Sequence, residues 1–447
     1  MPTAAGTVSA PIRSIRAVPI PSVRADADAC PGALRLHAAA DGPLARVRVP
    51  GGRMTGAQLT VVRELAGRWS DGHVELTSRA NLQLRALKDA PVKDLAAELR
   101  GAGLLPSETH ELVRNIVASP LAGGLPLGPL DQALCADPSL AELPGRFLFA
   151  LDGGAGDVAF GADVAALTLD DEVAIIFAGT DAGLRVAVAE VVPALLAAAH
   201  AFLDERAAQA AQGGGPGSAP GAPRAGGDQP FPLPGDRHDA GGRQRVAWRV
   251  RELTDGPARV AARTAAALGL ALGESVRRSR PGVREPIGII EQPDGTVAVG
   301  ALVPLGRLSD VQLKVLASAK ALVFTPWRGV VLPDLSPPAA ESWVATLAGA
   351  GLEVSAGSRW AGVTACAGRP GCAKSLADVR ADADAATVAG EGLPVHWVGC
   401  ERGCGSPAGP HVRVEATGTG YEVRSPQARG VTSIGEVGAL VGAARKG

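Results

Sequence analysis

The sequence predicts an α+β chain built from two similar halves with a cleft between them. Three observations carry this. Runs of period-2 apolar alternation are interleaved with capped amphipathic helices. Residues 49–66 recur in kind at 303–317, and 99–104 recur at 347–352, which marks an internal duplication. Four of the six cysteines lie in the last quarter of the chain, on one half only.

Residues 1–29 read as a flexible tail, with scattered arginines and prolines and no apolar stretch of a signal peptide. Order is expected from Cys30. Arg46 and Arg48 alternate with Val47 and Val49, as in a half-buried strand with its arginines on one face. Gly51 and Gly52 end that strand. Thr55 and Gln58 then form a capping box ahead of Leu59, Val62, Leu65 and Trp69, the apolar stripe of a helix. VELTSRANLQLRAL gives two strands around a polar tip, Ser78 to Asn81, and a helix is expected from about Val92 to Gly101.

The second copy repeats the capping box as Ser309 and Gln312. Its tip reads TPWRG where the first reads TSRAN, so only the first half is expected to keep a polar constellation. After the first copy come SETHELVRNIVASP, the strand-like LPGRFLFALD, ADVAALTL and EVAIIFAG, and an Ala-rich helix from about Leu184 to Gln209. After the second come a helix from Ala373 to about Asp384, the strand-like LPVHWVG, HVRVEAT and YEVRS, and a last helix from about Ile434. Residues 207–243 are rich in Gly, Pro, Ala and Arg without apolar periodicity and read as a flexible linker.

Composition narrows the function. A chain of 447 residues suits about three domains, and its 46% apolar content permits large cores although aromatics are only 3%. The net charge of −1 gives no global pull toward nucleic acid or anionic membrane, so an anion site must come from local arginines. The apolar stretch from Val186 to Phe202 is interrupted by Glu190 and Pro193 and is too short to span a bilayer. The expectation is a soluble, cytoplasmic protein with no nucleic-acid or membrane partner. No G-x-G-x-x-G follows a strand, so no nicotinamide site is expected.

The cysteines carry the chemistry. Cys366 and Cys372 are spaced C-x5-C, and Cys400 and Cys404 are spaced C-x3-C. Four thiolates on two loops that also hold Gly371, Gly399, Gly403 and Gly405 match the needs of a [4Fe–4S] cluster. Zinc is a rival, but its pairs favour gaps of two to four residues, which fits one of the two pairs. Buried structural cysteines are another. A disulfide does not suit a chain without an export signal. Cys135, in a Pro-flanked apolar stretch, reads as structural, and Cys30 as either buried or functional.

The PGGR–strand–TSRANLQL unit, VRNIVASP, LPGRF, the two cysteine pairs and the duplication together resemble the sulfite and nitrite reductase superfamily. The resemblance covers nearly the whole chain apart from the tail and linker. CPGALRLHAAADGPLARVRVPGG and GCERGCGSP most resemble its precorrin-3B synthase branch, the oxygen-dependent enzymes of aerobic cobalamin synthesis. The implied fold is α+β, a duplicated reductase-like fold. Two ferredoxin-like half-domains, 30–106 and 280–355, pair across a pseudo-twofold. Two α/β domains, 107–206 and 356–447, complete it, the second carrying the cluster.

The resemblance also implies roles. Cys366, Cys372, Cys400 and Cys404 would ligate the [4Fe–4S] cluster. In the reductases the cysteine matching Cys404 also bridges to sirohaem. Arg79 and Arg114 match the reductases' anion-binding arginines and are expected here as carboxylate clamps, since the guanidinium fork pairs with carboxylates. Arg146 stands at the first lysine of the reductases' LPRKFK motif and is expected as a third clamp, on an apolar strand. Leu148 stands at the second lysine. Losing that lysine argues against multi-proton reduction of sulfite or nitrite, because arginine holds its proton too tightly to donate it.

Asn81, Gln83 and Asn115 are expected to contact the tetrapyrrole or to brace the loops. Arg46, Arg48 and Arg53 either extend the basic face or are solvated. The implied substrate is precorrin-3A, with O2 as oxidant and an external reductase or ferredoxin as electron donor. A separate non-haem iron is implied too, yet no H-x-H, E-x-x-H or two-histidine-one-carboxylate spacing is present. His37 and His396 read as structural. The rivals are a sirohaem-dependent sulfite or nitrite reductase and a non-enzymatic iron–sulfur electron carrier or assembly scaffold. A carrier needs neither the duplication nor the arginine-rich first half.

Overall fold

A computed structural model describes residues 30–121, 123–213, 246–275, 285–407 and 409–446. The tail and most of the expected linker lie outside the described residues.

The first half-domain holds β1 (Ala45–Val47), β2 (Arg53–Thr55), α1 (Gly56–Trp69), β3 (Val74–Leu76), β4 (Leu82–Leu84) and α2 (Val92–Gly101). Thr55 and Gln58 cap α1 reciprocally. The first α/β domain adds β5 (Ile116–Ala118), α3 (Leu127–Ala136), β6 (Phe149–Asp152), β7 (Val164–Leu169), β8 (Glu172–Phe177), β9 (Thr180–Val186), α4 (Val191–Gly213) and α5 (Gly256–Leu268).

The second half-domain holds β10 (Gly288–Glu291), β11 (Val297–Leu302), β12 (Arg307–Leu308), α6 (Asp310–Ala317), β13 (Ala321–Phe324), β14 (Gly329–Leu335) and α7 (Pro337–Gly349). Ser309 and Gln312 cap α6 in the same reciprocal way. The second α/β domain ends the chain with β15 (Val363–Ala365), α8 (Val379–Ala386), β16 (Val395–Val398), β17 (Val412–Ala416), β18 (Tyr421–Arg424), β19 (Arg429–Thr432) and α9 (Val437–Arg445).

The half-domains exchange strands. β12 of the second pairs antiparallel with β3 of the first, and β2 of the first pairs antiparallel with β13 of the second. The sheets therefore run β1-β4-β3-β12 and β10-β11-β14-β13-β2, and neither is complete without the other half. One apolar core runs through both, including Leu59, Val62 and Leu84 from one side and Leu313, Leu316 and Phe324 from the other.

The α/β domains have matching sheets, β5-β6-β7-β8-β9 and β15-β16-β17-β18-β19. In each, the first three strands are parallel and the last two antiparallel. Parallel strands carry their loops to one common end, and the cysteine pairs sit at that end of the second sheet.

Several expectations need correction. Leu184 lies in the unforeseen strand β9, and the long helix starts at Val191 and runs to Gly213, into the stretch expected as linker. Alanine and valine runs of this kind satisfy both periods, and register with β8 decides for a strand. The helix expected from Ala373 starts at Val379, where Asp378 caps it. Arg146 is in the turn before β6, not on the strand. β19 and α5 had no counterpart in the sequence reading. Among the described residues no helix is long and apolar enough to cross a membrane.

Glu205 fixes α4 to α5. Its buried carboxylate accepts from Arg259 Nε at 2.5 Å, Arg263 Nε at 2.7 Å and Gln209 Nε2 at 2.9 Å. Burial alone would raise its pKa, but these donors hold it down at about 2. Glu205→Gln is expected to cost about 1–3 kcal/mol at pH 7. A carboxylate with a depressed folded pKa stabilises above its unfolded value, ~4.5, and loses that contribution as pH falls toward 2. Urea melts of both proteins should therefore differ at pH 7 and converge toward pH 2.

Candidate functional site

Strand alternation builds one polar face. On β1, β3 and β4, Ala45, Val47, Leu82 and Leu84 point into the core, so Arg46, Arg48, Gln83 and Arg85 face the other way. Arg46 pairs across the sheet with Gln83, and Gln83 with Glu75. Arg46 Nη2 donates to Gln83 Oε1 at 2.9 Å, and Gln83 Nε2 donates to Glu75 Oε2 at 2.9 Å.

Of the three arginines expected either to extend the basic face or to be solvated, Arg48 is buried, Arg46 half-buried and Arg53 exposed. Arg48 is 3% exposed, with Nη2 directed at the carbonyls of Pro31 and Leu112. Its Nε and Nη1, and Arg46 Nε, are buried with no hydrogen-bond partner. Burial, then Arg46 and Arg79, press the Arg48 pKa down to about 9. Arg79 donates to the carbonyls of Gly145 and Arg146 at 3.2 and 2.9 Å. Burial, then Arg249, lowers its pKa to about 10. Guanidiniums crowded in this way favour an anionic ligand. Cys30 lies within electrostatic reach of Arg46, Arg48 and Arg79.

The other expected residues divide. Arg146 is exposed, its guanidinium 5.1 Å from the Trp248 ring centroid. Arg114 forms a bidentate bridge to Asp131, at 2.8 and 2.7 Å, and points Nη1 at the Leu104 carbonyl. Asn81 Oδ1 accepts from the Val49 amide at 2.9 Å, and Asn115 Nδ2 donates to the carbonyls of Leu112 and Gly145. Both asparagines brace loops. Leu148 is buried in an apolar cluster against which Trp327 packs.

The cysteines form the opposite side. Cys366 follows β15 and Cys400 follows β16, at the same end of two parallel neighbours. The Gly399 amide donates to Cys366 Sγ at 3.3 Å, and the Leu376 amide donates to the Gly399 carbonyl at 2.8 Å, which ties the two loops together. A Cβ at Gly399 would stand 1.8 Å from Ser375 Oγ, so only glycine allows this approach. His396 is fully buried between Thr364 Oγ1, at 2.7 Å from Nδ1, and the Cys404 carbonyl, at 3.0 Å from Nε2. It braces the Cys404 loop. Cys404 itself is exposed.

Among the described residues, no three His, Cys, Asp or Glu side chains close on one point as ligands of a single ion. Cys366 and Cys400 at the same end of adjacent parallel strands, with Cys372 and Cys404 in the loops that follow, are the residues that could hold a [4Fe–4S] cluster. No histidine–carboxylate set for a non-haem iron converges among the described residues, and none is assigned.

A charged latch joins the two sides. Arg85 is bidentate to Asp41, at 2.9 and 3.0 Å, and its Nη2 also donates to the Gly371 carbonyl, inside the C-x5-C loop, at 2.7 Å. Arg380 at the start of α8 lies 2.6 Å from Glu75. The sequence reading passed over Arg85, Glu75 and Arg380. The alternation that selected Arg46 and Arg48 also selects Gln83 and Arg85.

Residues 37–102 match the nitrite/sulfite reductase ferredoxin-like half domain. Ferredoxin–nitrite reductase of Leptolyngbya laminosa is 32% identical over 123 residues, covering 24% of this chain and 24% of that protein. Its counterpart from Synechococcus elongatus is 32% identical over 126 residues, covering 25% of each. These alignments span about a quarter of the relatives' lengths. The structure of Mycobacterium tuberculosis NirA superposes with a TM-score of 0.67 at 19% identity, over 89% of this chain and 79% of NirA.

The protein thus has the duplicated α+β architecture of NirA. Within it, residues 37–102 are similar to the nitrite/sulfite reductase ferredoxin-like half domain.

The Arg114–Asp131 bridge yields a direct test. Removing one partner of a buried pair leaves an uncompensated charge, which costs about 3–5 kcal/mol. Arg114→Ala is therefore expected to lower thermal stability, and Arg114→Ala/Asp131→Ala to recover part of the loss. A ligand clamp with no structural role would leave the melting temperature unchanged.

Proposed function

We propose that the protein is a precorrin-3B synthase-like monooxygenase that binds an iron-free, carboxylate-bearing tetrapyrrole between the arginine wall and the cysteine loops. The observation that carries this is the composition of the wall. It offers partnerless guanidinium N–H groups on Arg46 and Arg48 and contains no lysine. All six lysines of the chain are exposed, and Leu148, at the position resembling the reductases' second lysine, is buried in an apolar cluster against which Trp327 packs. Arginines bind carboxylates well and deliver protons poorly.

Cys366, Cys372, Cys400 and Cys404 would hold a [4Fe–4S] cluster. When bound, it would supply one-electron transfer at the floor of the cleft. Arg46, Arg48 and Arg79 orient the macrocycle through its carboxylates. Arg85 and Arg380 keep the cysteine loops registered against that wall. One oxygen atom of O2 enters a bridging carbon and a ring acetate closes a lactone. The other leaves as water, with electrons from an external donor. The curated relatives are named for ferredoxin, and exposed Arg369, Lys374 and Arg402 beside the cysteines suit an acidic carrier of that kind.

A second reading is a sirohaem-dependent nitrite or sulfite reductase, favoured by the names of the same relatives. Incubation of the cluster-loaded protein with precorrin-3A, O2 and a reductant separates the two. Mass spectrometry is expected to show one added oxygen atom. Cys400→Ser should remove both cluster absorption and product. Arg79→Ala should spare the absorption and weaken macrocycle binding. An unchanged macrocycle, together with turnover of nitrite or sulfite, would establish the second reading.

A further inference from the structure

The duplicated tip TPWRG is not inert. Arg328 takes the place that Ala80 holds in the first copy, and both residues lie in the left-handed region, at φ 65° and 57°. A bulky residue there is uncommon and costs energy that the surrounding structure must offset. The side chain has a prepared path. A Cβ at Gly306 would stand 2.5 Å from Arg328 Cδ, so the stem crosses the turn where only a glycine leaves room. A Cβ at Gly405 would stand 3.6 Å from Arg328 Nη2 and 3.5 Å from His396 Cε1. The guanidinium therefore lies against the residue that follows Cys404.

Among the described residues, no hydrogen bond or ion pair engages that guanidinium. Burial, then Arg380, lowers its pKa. Two carboxyls act on it through space. Glu75 is shared with Gln83 and Arg380. Glu285 has its pKa raised by burial to about 7, so it is only partly ionised at neutral pH. A cation so placed, with its donors uncommitted, is poised for an anion in the cleft.

We propose that Arg328 is a carboxylate anchor contributed by the second half-domain, gripping the edge of a cyclic tetrapyrrole beside Cys404 while the first-half arginines grip another edge. The proposal rests on the tetrapyrrole reading above. A macrocycle carries carboxylates around its whole rim, so anchors on both walls fix its rotation as well as its depth. A small inorganic anion would engage one wall alone.

The test uses uroporphyrin III and the full-length, cluster-loaded chain under anaerobic conditions, with binding followed by porphyrin fluorescence. Arg328→Gln is expected to weaken binding about tenfold, the loss of one charge-assisted contact. Arg328→Lys should retain most of the affinity. Arg63→Ala, which breaks a surface pair with Asp310, should bind as the parent does. Cluster absorption should be the same in all four proteins. If Arg328→Gln binds as tightly as the parent, the anchor is refuted and the tetrapyrrole reading stands. If the parent itself does not bind uroporphyrin, both are refuted. Loss of cluster absorption in Arg328→Gln would make the residue structural and also overturn the anchor.

Discussion

The reciprocal exchange of β2 and β12 is the constraint from which the rest follows. Each half-domain lends a short strand to the other's sheet, so the halves cannot separate without exposing two unpaired edges and a shared core. Backbone hydrogen bonds and burial together set the relation between the halves. With that relation fixed, the polar face of β1, β3 and β4 opposes the cysteine loops. Arg85 and Glu75 then meet Gly371 and Arg380 at hydrogen-bonding distance.

Guanidiniums gather here from both halves, Arg46, Arg48 and Arg79 from the first and Arg328 and Arg380 from the second. Burying several guanidiniums together is costly unless each finds an acceptor. Arg114 and Arg85 find theirs within the protein, in Asp131 and Asp41. Arg46 and Arg48 leave donors unused. That contrast separates arginines whose charge is met by a carboxylate within the fold from arginines with buried N–H groups left unpaired. The duplication explains how such a cleft arises. Two equivalent scaffolds differ at their loop ends, one with cysteines after β15 and β16, the other with Asp152 at the end of β6, whose carboxylate is occupied by backbone amides.

Much of the scaffold was legible in the sequence because it is local. The two capping boxes, the repeat and the period-2 strands each depend on residues a few positions apart, and they appear where expected. What was not legible depends on partners distant in the chain. Nothing near Arg114 announces Asp131, and nothing near Arg48 announces its burial. β9 is ambiguous in the sequence because Leu184 and its neighbours suit both periods. α5 had a fair signal, Asp255-Gly256-Pro257 at its start and Gly269 at its end, which the sequence reading passed over. Arg328 stands in a tip that lacks the TSRAN pattern. Only its neighbours Gly306 and Gly405 show where its side chain goes.

The central claim is that the cysteine loops carry a four-iron cluster beside a tetrapyrrole that enters as substrate, not as resident haem. The absorption spectrum of the anaerobically purified protein tests this most directly. The account predicts a broad iron–sulfur shoulder that bleaches on reduction, with no Soret band. An intense Soret band with visible haem bands, in proportion to the protein, would contradict it.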